Sequence, residues 1–160
     1  MKPVTAVFPG TFDPLTSGHL NIIKRAVALF GDLQVAVAAS PGKHTMLSLA
    51  TRVALARECC AALPGVQVCG FENLLIEHLR ACGARVLIRA LRSAADYDYE
   101  AQLGGMYRML LPELEIVMLQ APPEFVFLSS SLVREVLRHG GAVDAFVPAA
   151  ALPFLRATGS

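Results

Sequence analysis

The sequence predicts an α/β protein, a single doubly wound domain around a five-stranded parallel sheet. Short runs rich in Val, Ile and Leu alternate along the chain with longer stretches whose apolar residues recur every three or four positions. The short runs are typical of buried parallel strands, and the longer period is typical of amphipathic helices. With 160 residues the chain has room for one substantial core, and we expect one domain over residues 1–160.

Strands are expected where the short apolar runs occur, at residues 4–8, 33–39, 65–69, 85–88 and 115–119. Alternation of such strands with helices implies right-handed crossovers and a parallel sheet covered on both faces. In sheets of this kind, ligands bind beyond the carboxyl ends of the strands, where the strand order reverses. Polar residues at those ends are therefore the candidate functional residues.

Helices are expected between the strands. The first two have apolar stripes at helical spacing, one formed by Leu20, Ile23, Val27 and Phe30 and the other by Leu49, Val53, Ala56, Cys60 and Leu63. The third is expected over residues 73–82, ending near Gly83, and the fourth over residues 94–110, ending before Pro112. In the alanine-rich segment 146–154, Pro148 and Pro153 predict a closing helix that is short or kinked.

Composition excludes several classes of protein. Lys and Arg number 14 against 13 Asp and Glu, and a net charge of +1 provides no long-range field for a nucleic acid. No stretch approaches the ~18 uninterrupted apolar residues of a membrane span, and no leader precedes the first strand, so we expect a soluble cytoplasmic protein. The hydrophobic fraction of 54% indicates a core plus a subunit interface. Paired C-x-x-C spacing is missing, so reduced buried thiols rather than a zinc site are expected at Cys59, Cys60, Cys69 and Cys82.

The segment Gly-Thr-Phe-Asp-Pro-Leu-Thr-Ser-Gly-His, residues 10–19, is the strongest candidate for a functional site. It lies between the first strand and the first helix, which Thr16 or Ser17 can cap. Unpaired N–H groups and the positive end of the helix dipole then favour an anion. His19 in the first turn and the Thr11 hydroxyl can reach the same anion. The alternative is an ordinary capped helix with a surface histidine.

Two common phosphate-binding fingerprints do not fit the sequence. No G-x-G-x-x-G follows the first strand, and Gly42-Lys43 lacks the other residues of a P-loop. The sequence therefore favours neither a dinucleotide-dependent dehydrogenase nor a P-loop enzyme.

Residues 10–19, with Gly-Thr-Phe-Asp-Pro followed by Thr-x-Gly-His, resemble the T/H-x-G-H motif of the nucleotidylyltransferase superfamily. Within it, the chain is similar to the bacterial phosphopantetheine adenylyltransferases from residue 4 to about residue 146. The other segments that carry the resemblance are residues 39–43, 87–92, 96–100 and 128–134. The family resemblance implies transfer of the adenylyl group of ATP to 4′-phosphopantetheine, giving dephospho-coenzyme A and pyrophosphate. It also implies a hexamer and inhibition by coenzyme A.

The resemblance also assigns site residues. His19, Thr11 and Lys43 are the expected catalytic residues, and Thr11, Lys43, Leu75 and Arg89 are expected to bind phosphopantetheine. The expected ATP-binding residues are Thr11, Phe12, His19, Ala90, Leu91, Arg92, Glu100, Phe125, Val126, Phe127, Leu128, Ser129, Ser130 and Ser131. Simpler alternatives exist for several of them: Leu75 in the core, the three serines as a helix cap, and the charged residues as a solvated surface.

The chemistry of this reaction explains why no general base stands out. The attacking phosphate is already largely dianionic near neutral pH, because its second pKa is about 6. Catalysis then consists of in-line alignment and stabilisation of the transferred phosphoryl group. No carboxylate pair has metal-ligand spacing near the motifs, so Mg²⁺ is expected to arrive bound to ATP. Asp13 is expected to fix its turn rather than bind metal.

The sequence departs from the family at Ala90, where glycine is usual. If that position requires a positive φ or a close approach of the backbone to ATP, the methyl group would weaken ATP binding. Two other functions stay open. One is a related nucleotidyltransferase acting on nicotinamide mononucleotide or a polyol phosphate, and the other is a catalytically idle sensor of nucleotide or coenzyme A.

Overall fold

The computed structural model describes residues 6–158, which form one five-stranded sheet flanked by helices. Every pair of neighbouring strands is parallel, and the strand order is β3-β2-β1-β4-β5. The strands are β1 (Ala6–Gly10), β2 (Leu33–Ala38), β3 (Val66–Phe71), β4 (Val86–Leu91) and β5 (Glu115–Gln120). The predicted doubly wound parallel sheet of five strands is confirmed.

Six α-helices alternate with the strands or follow them within the described residues. They are α1 (Ser17–Phe30), α2 (Leu49–Cys60), α3 (Leu75–Ala81), α4 (Ala94–Leu110), α5 (Ser130–Arg138) and α6 (Leu152–Arg156). Short 3₁₀ turns occupy Pro123–Phe125 and Ala149–Ala151. Among these helices, none is long and apolar enough to cross a membrane.

Several element boundaries differ from the sequence expectation. β4 was expected to end at Ile88, but it pairs with β5 as far as Leu91, so Arg89 and Ala90 lie inside the strand. β1 continues to Gly10 rather than ending at Phe8. Val4, its expected first residue, lies outside the described residues. A polar side chain does not end a strand whose backbone still has a parallel partner.

Helix boundaries are closer to expectation. The bounds of α4 match those predicted, because Ser93 caps its start and Pro112 follows its end. α3 begins two residues later than expected, at Leu75. The closing helix α6 is short, and Pro153 lies in its first turn, where the missing N–H removes no helical hydrogen bond. Pro153 therefore sits at the start of a short helix instead of kinking a longer one.

The sheet has a hydrophobic cluster on each face. Val7 and Leu87 belong to one cluster, while their neighbours Phe8 and Ile88 belong to the other. This division follows from the alternation of side chains along a strand. The central strands are therefore buried on both sides, as expected of a parallel sheet.

The pairing between β1 and β4 is short. Their register runs only from Ala6 opposite Val86 to Val7 opposite Leu87, whereas β1 pairs with β2 along its whole length to Gly10. Beyond Val7 the two halves of the sheet have no ladder between them. A cleft therefore opens at the carboxyl ends of β1 and β4, at the reversal of strand order.

All four cysteines are free thiols, but only Cys60 is buried as expected, whereas Cys59, Cys69 and Cys82 are half-buried. Burial raises the pKa of the Cys59 thiol to about 12, with smaller contributions from Cys60 and Glu58, and raises that of Cys60 to about 11. At neutral pH both thiols keep their protons, which makes them poor nucleophiles. They serve as packing groups beneath the sheet.

Gly10 is the position at which a side chain is least tolerated near the cleft. A Cβ atom there would lie 2.9 Å from the ring of Phe12, which is buried between Phe8 and His19 and has little room to move. We expect Gly10→Ala to lower the free energy of unfolding by about 1–3 kcal/mol, as overpacking does. Urea denaturation would measure the change.

Gly42→Ala is the matched control, because a Cβ atom at Gly42 meets nothing within 4 Å. Its unfolding free energy should stay within about 0.5 kcal/mol of the original protein. Equal stability of the two variants would contradict the packing account of Gly10.

Candidate active site

A cavity of about 660 Å³ occupies the cleft at the carboxyl edge of the sheet. Most of the site residues expected from the sequence line it, from both halves of the sheet and from the starts of α1 and α5. These are Thr11, Phe12, His19, Lys43, Leu75, Arg89, Ala90, Arg92, Glu100, Phe125, Leu128, Ser129, Ser130 and Ser131. Three expected ATP-binding residues, Leu91, Val126 and Phe127, do not line the cavity, and Phe127 is 84% exposed.

The start of α1 points into this cavity. Thr16 is the N-cap, and its hydroxyl accepts a hydrogen bond from the backbone N–H of His19. The N–H of Ser17 is taken by the carbonyl of Phe146. Gly18 is then the first-turn residue whose N–H has no acceptor within residues 6–158. The helix start therefore offers one main-chain donor to an anion, fewer than the sequence suggested.

The His19 ring is fixed by the same cap. The backbone N–H of Thr16 donates to Nδ1 of His19 at 3.0 Å, and the Thr16 hydroxyl lies 3.1 Å from the same nitrogen. Because Nδ1 accepts a hydrogen bond, the proton of a neutral ring must be on Nε2. Phe12 packs edge-on against the ring at 5.0 Å. The cap thus assigns both the orientation and the tautomer of the imidazole.

The imidazole of His19 is neutral at physiological pH. Burial lowers the pKa of His19 from 6.5 to about 4, and the positive charge of Arg92 lowers it further. An imidazolium would also place a proton on Nδ1, opposite the N–H of Thr16. His19 therefore acts as a hydrogen-bond donor through Nε2 and not as a cation.

The ends of β1 and β2 are joined by two hydroxyls. Thr11 follows β1 and Ser40 follows β2, and their side-chain oxygens lie 2.9 Å apart. Lys43 is exposed in the turn that follows, and its backbone N–H donates to the Ser40 carbonyl at 2.9 Å. Ser40 therefore contacts Thr11 through its side chain and Lys43 through its carbonyl, and it links the two residues at one edge of the sheet.

Asp13 links this edge to the segment before α2. Its side chain is only 3% exposed, and its two carboxylate oxygens accept hydrogen bonds from the backbone N–H groups of Met46 (2.6 Å) and Leu47 (2.9 Å). The expectation that Asp13 fixes its own turn is corrected, because the hydrogen-bond partners of its carboxylate lie some thirty residues away.

Arg89 and Glu100 form a bidentate ion pair at the cavity wall. Nε of Arg89 lies 2.5 Å from one carboxylate oxygen, and Nη2 lies 2.8 Å from the other. Burial alone would lower the pKa of Arg89, but the hydrogen bonds and charge of Glu100 outweigh it and hold that pKa above its usual value. Two of the five guanidinium N–H donors are used, which leaves the others for a ligand. Arg92, which was expected with Glu100 at the ATP site, donates to the carbonyl of Leu128 at 3.2 Å.

The three serines at the start of α5 have different hydrogen-bond partners, and the Ser131 hydroxyl accepts from Arg134 at 3.1 Å. Ser129 is the N-cap, accepting from the N–H of Leu132, as its sequence context allowed. Ser130 donates to the carbonyl of Pro14 at 2.8 Å and so ties α5 to the loop of residues 10–19. Arg134 strengthens this connection by donating to the carbonyl of Asp13 at 2.8 Å.

Ala90 needs no unusual backbone conformation. Within the described residues, Phe12 and Ser40 are the non-glycine residues with positive φ. Ala90 lies in β4 with strand geometry. The expectation that a positive φ at position 90 would weaken ATP binding is therefore wrong. Ala90 does line the cavity.

Sequence reasoning missed several residues at this edge. Ser40, His44, Asn73 and Arg134 line the cavity. The first three lie in the segments that follow β2 and β3, and Arg134 lies in the middle of α5. Arg52 was missed for another reason. It lies three positions after Leu49, on the buried stripe of α2, and this spacing was the available signal.

Fold and site together define a nucleotidyltransferase, and comparison with known proteins agrees. Residues 7–136 match the model of the cytidylyltransferase-like family. A phosphopantetheine adenylyltransferase from Tolumonas auensis is 51% identical over 141 residues, which cover 88% of this chain and 86% of the relative. The chain therefore belongs to the cytidylyltransferase-like family and, within it, to the phosphopantetheine adenylyltransferases. The resemblance seen in the sequence is confirmed.

A neutral His19 predicts a specific titration. The ring should stay unprotonated until the pH falls to about 4, with the N–H on Nε2, because burial and Arg92 disfavour the charged form. Two-dimensional NMR of ¹⁵N-labelled histidine from about pH 3.5 to about pH 8 would measure this. A ring that titrates near 6.5 would contradict the assignment.

The same shift predicts how stability depends on pH. Between about pH 6.5 and about pH 4 the unfolded chain binds a proton at His19 and the folded chain does not, so stability falls as the pH falls. His19→Gln should remove this part of the pH dependence in urea denaturation.

Proposed function

We propose that this protein catalyses attack of the phosphate of 4′-phosphopantetheine on the α-phosphorus of ATP, giving dephospho-coenzyme A and pyrophosphate. The supporting observation is that Thr11, His19, Lys43 and Arg89 line one cavity at the reversal of strand order. The identity with a protein named phosphopantetheine adenylyltransferase supports the same acceptor.

The reaction is a single in-line displacement. A phosphate oxygen of phosphopantetheine forms a bond to the α-phosphorus, and the bond from that phosphorus to the bridging oxygen breaks, releasing pyrophosphate. The attacking phosphate needs no general base, because it is largely dianionic at pH 7. The Nε2 proton of His19, the N–H of Gly18 and the Lys43 ammonium stabilise the charge on the transferred group. A neutral donor at His19 performs this role without proton transfer.

The two substrates use different sides of the cavity. Phosphopantetheine lies against the β2 and β4 side, with its phosphate at Thr11, Lys43 and Arg89 and its apolar arm toward Leu75. ATP lies toward α1 and α5. Support for this comes from the expected ATP-binding residues that line the cavity before α1 and around the start of α5, which are Phe12, Phe125, Leu128 and the three serines 129–131. Ala90 and Arg92 line the cavity at the end of β4. Glu100 holds Arg89 at the boundary. Leu91, Val126 and Phe127 stay sequence predictions.

Mg²⁺ enters as part of the Mg-ATP substrate, bound to phosphate oxygens and water. Across residues 6–158, no group of three His, Cys, Asp or Glu side chains could hold a metal ion. The protein works in the cytoplasm as a hexamer and is inhibited by coenzyme A, as the family resemblance suggests. Assembly is supported by large exposed apolar side chains on α4, including Met106, Met109 and Leu110.

Pyrophosphate release from Mg-ATP tests the function directly. We expect release with 4′-phosphopantetheine and none with nicotinamide mononucleotide or glycerol 3-phosphate. Release with either of the other acceptors would transfer the assignment to a related nucleotidyltransferase. No release with any acceptor, from folded protein that binds ATP, would favour the sensor.

His19→Ala should lower kcat by at least about 100-fold, because it removes a donor aimed at the transferred phosphoryl group. His139→Ala is the matched control. His139 is exposed on the far end of α5, where it pairs with Glu135, and this variant should keep its activity. Turnover of His19→Ala within a few-fold of the control would contradict the catalytic role.

Arg89→Ala should raise the KM for phosphopantetheine more than the KM for ATP. Arg108→Ala is its control. Arg108 also forms an ion pair with a glutamate, with its Nη2 atom 3.0 Å from Oε2 of Glu115, but both side chains are exposed. Steady-state kinetics with each substrate varied in turn would measure both constants. A larger effect on the KM for ATP would overturn the placement of the acceptor phosphate.

A further inference from the structure

Arg52 is an arginine that the proposed chemistry does not use. It lies on α2 and is 1% exposed. Its guanidinium donates to four backbone carbonyls, those of Thr11 (2.7 Å), Ala38 (2.7 Å), Ala39 (3.3 Å) and Leu47 (3.1 Å). No ion pair with a carboxylate holds it within the described part of the chain. A charge kept here is expensive, and burial lowers the pKa of Arg52 even though Asp13 opposes the shift.

The carbonyls that Arg52 binds mark the two strained points of the site. Phe12 has φ of 49° and Ser40 has φ of 54°, and in residues 6–158 no other non-glycine residue has a positive φ. The carbonyl of Thr11 immediately precedes Phe12, and the carbonyl of Ala39 immediately precedes Ser40. Such conformations persist only where surrounding contacts hold them. One guanidinium binds the chain next to both.

These two turns carry the phosphate-binding groups. The turn at Phe12 follows Thr11, and the turn at Ser40 leads to Lys43, whose N–H is bound to the Ser40 carbonyl. The 2.9 Å contact between Thr11 and Ser40 joins the two turns above Arg52. A shift of either turn would separate Thr11 from Lys43.

We propose that Arg52 is a positioning residue that holds the ends of β1 and β2 in their strained conformations and thereby keeps Thr11 and Lys43 together at the acceptor phosphate. Asp13 assists on the same segment. It accepts from the N–H of Leu47, while Arg52 donates to the carbonyl of Leu47. The assignment of the phosphate rests on the proposed function, whereas the positioning of the two turns does not.

Amide hydrogen exchange tests the positioning without any substrate. In Arg52→Lys and Arg52→Met, exchange should rise at least about tenfold in peptides covering residues 9–16 and 38–48 and stay unchanged in α4 and β5. Lysine cannot reach four carbonyls in a fixed fork, so it should not rescue the wild-type pattern. A uniform rise across the sheet, or no rise, would overturn the proposal in favour of a merely structural role.

Arg57→Met is the matched control, because Arg57 lies on the same helix but is exposed and donates only to the carbonyl of Val68 at 3.3–3.4 Å. Its exchange pattern should equal that of the original protein. If Arg52→Met does not unfold cooperatively on heating, and so is not properly folded, hydrogen exchange of Arg52→Lys below its melting temperature decides the result.

Kinetics then connect the turns to the substrate. Arg52→Lys should lower kcat/KM for phosphopantetheine by about 100-fold, the cost of a misplacement of about 1 Å. The KM for phosphopantetheine should rise more than the KM for ATP, because both turns serve the acceptor phosphate whereas only the turn at Phe12 also serves ATP. Equal rises in the two KM values would overturn the link to the acceptor phosphate. If the original protein itself released no pyrophosphate, the proposed function would fail, and hydrogen exchange would still decide the role of Arg52.

Discussion

The early end of the pairing between β1 and β4 is the constraint on which the rest of the structure depends. Their ladder stops at Val7 and Leu87, while each strand continues for three or four residues beside its other neighbour. The backbone on both sides of the gap stays ordered by those neighbours. The cavity therefore lies between two ordered strand ends although the β1–β4 ladder does not reach it, and side chains from two halves of the sheet can face one ligand.

The cavity is rich in positive side chains although the net charge of the protein is small. The chain as a whole carries +1, yet Lys43, Arg89, Arg92 and Arg134 all line the same cavity. His19 adds no charge, because burial, assisted by the positive charge of Arg92, lowers its pKa to about 4. A donor that cannot be protonated at working pH gives the same hydrogen bond over a broad pH range.

The fold could be predicted from the sequence because parallel strands and amphipathic helices have different apolar periods, and the end of α4 was placed correctly by Pro112. The candidate site could be predicted from residues 10–19 because the whole string resembles the T/H-x-G-H motif. A helix start after a strand would by itself also fit an ordinary capped helix. The pairing of Arg89 with Glu100 could not be predicted, because it joins a strand to a helix through tertiary geometry. The burial of Arg52 could not be predicted either, because an arginine on a helix is usually solvated.

The ion pair of Arg89 and Glu100 has a consequence for selectivity among anions. A ligand phosphate that approaches Arg89 meets a guanidinium whose charge is already shared with a carboxylate 2.5–2.8 Å away. Repulsion from that carboxylate offsets part of the attraction, and a small anion with no other contacts gains little. A larger substrate recovers the difference through its remaining atoms elsewhere in the cavity. Under the proposed role of Arg89, Glu100 thus lowers the affinity of the cavity for free inorganic phosphate relative to its affinity for the phosphate of a whole substrate.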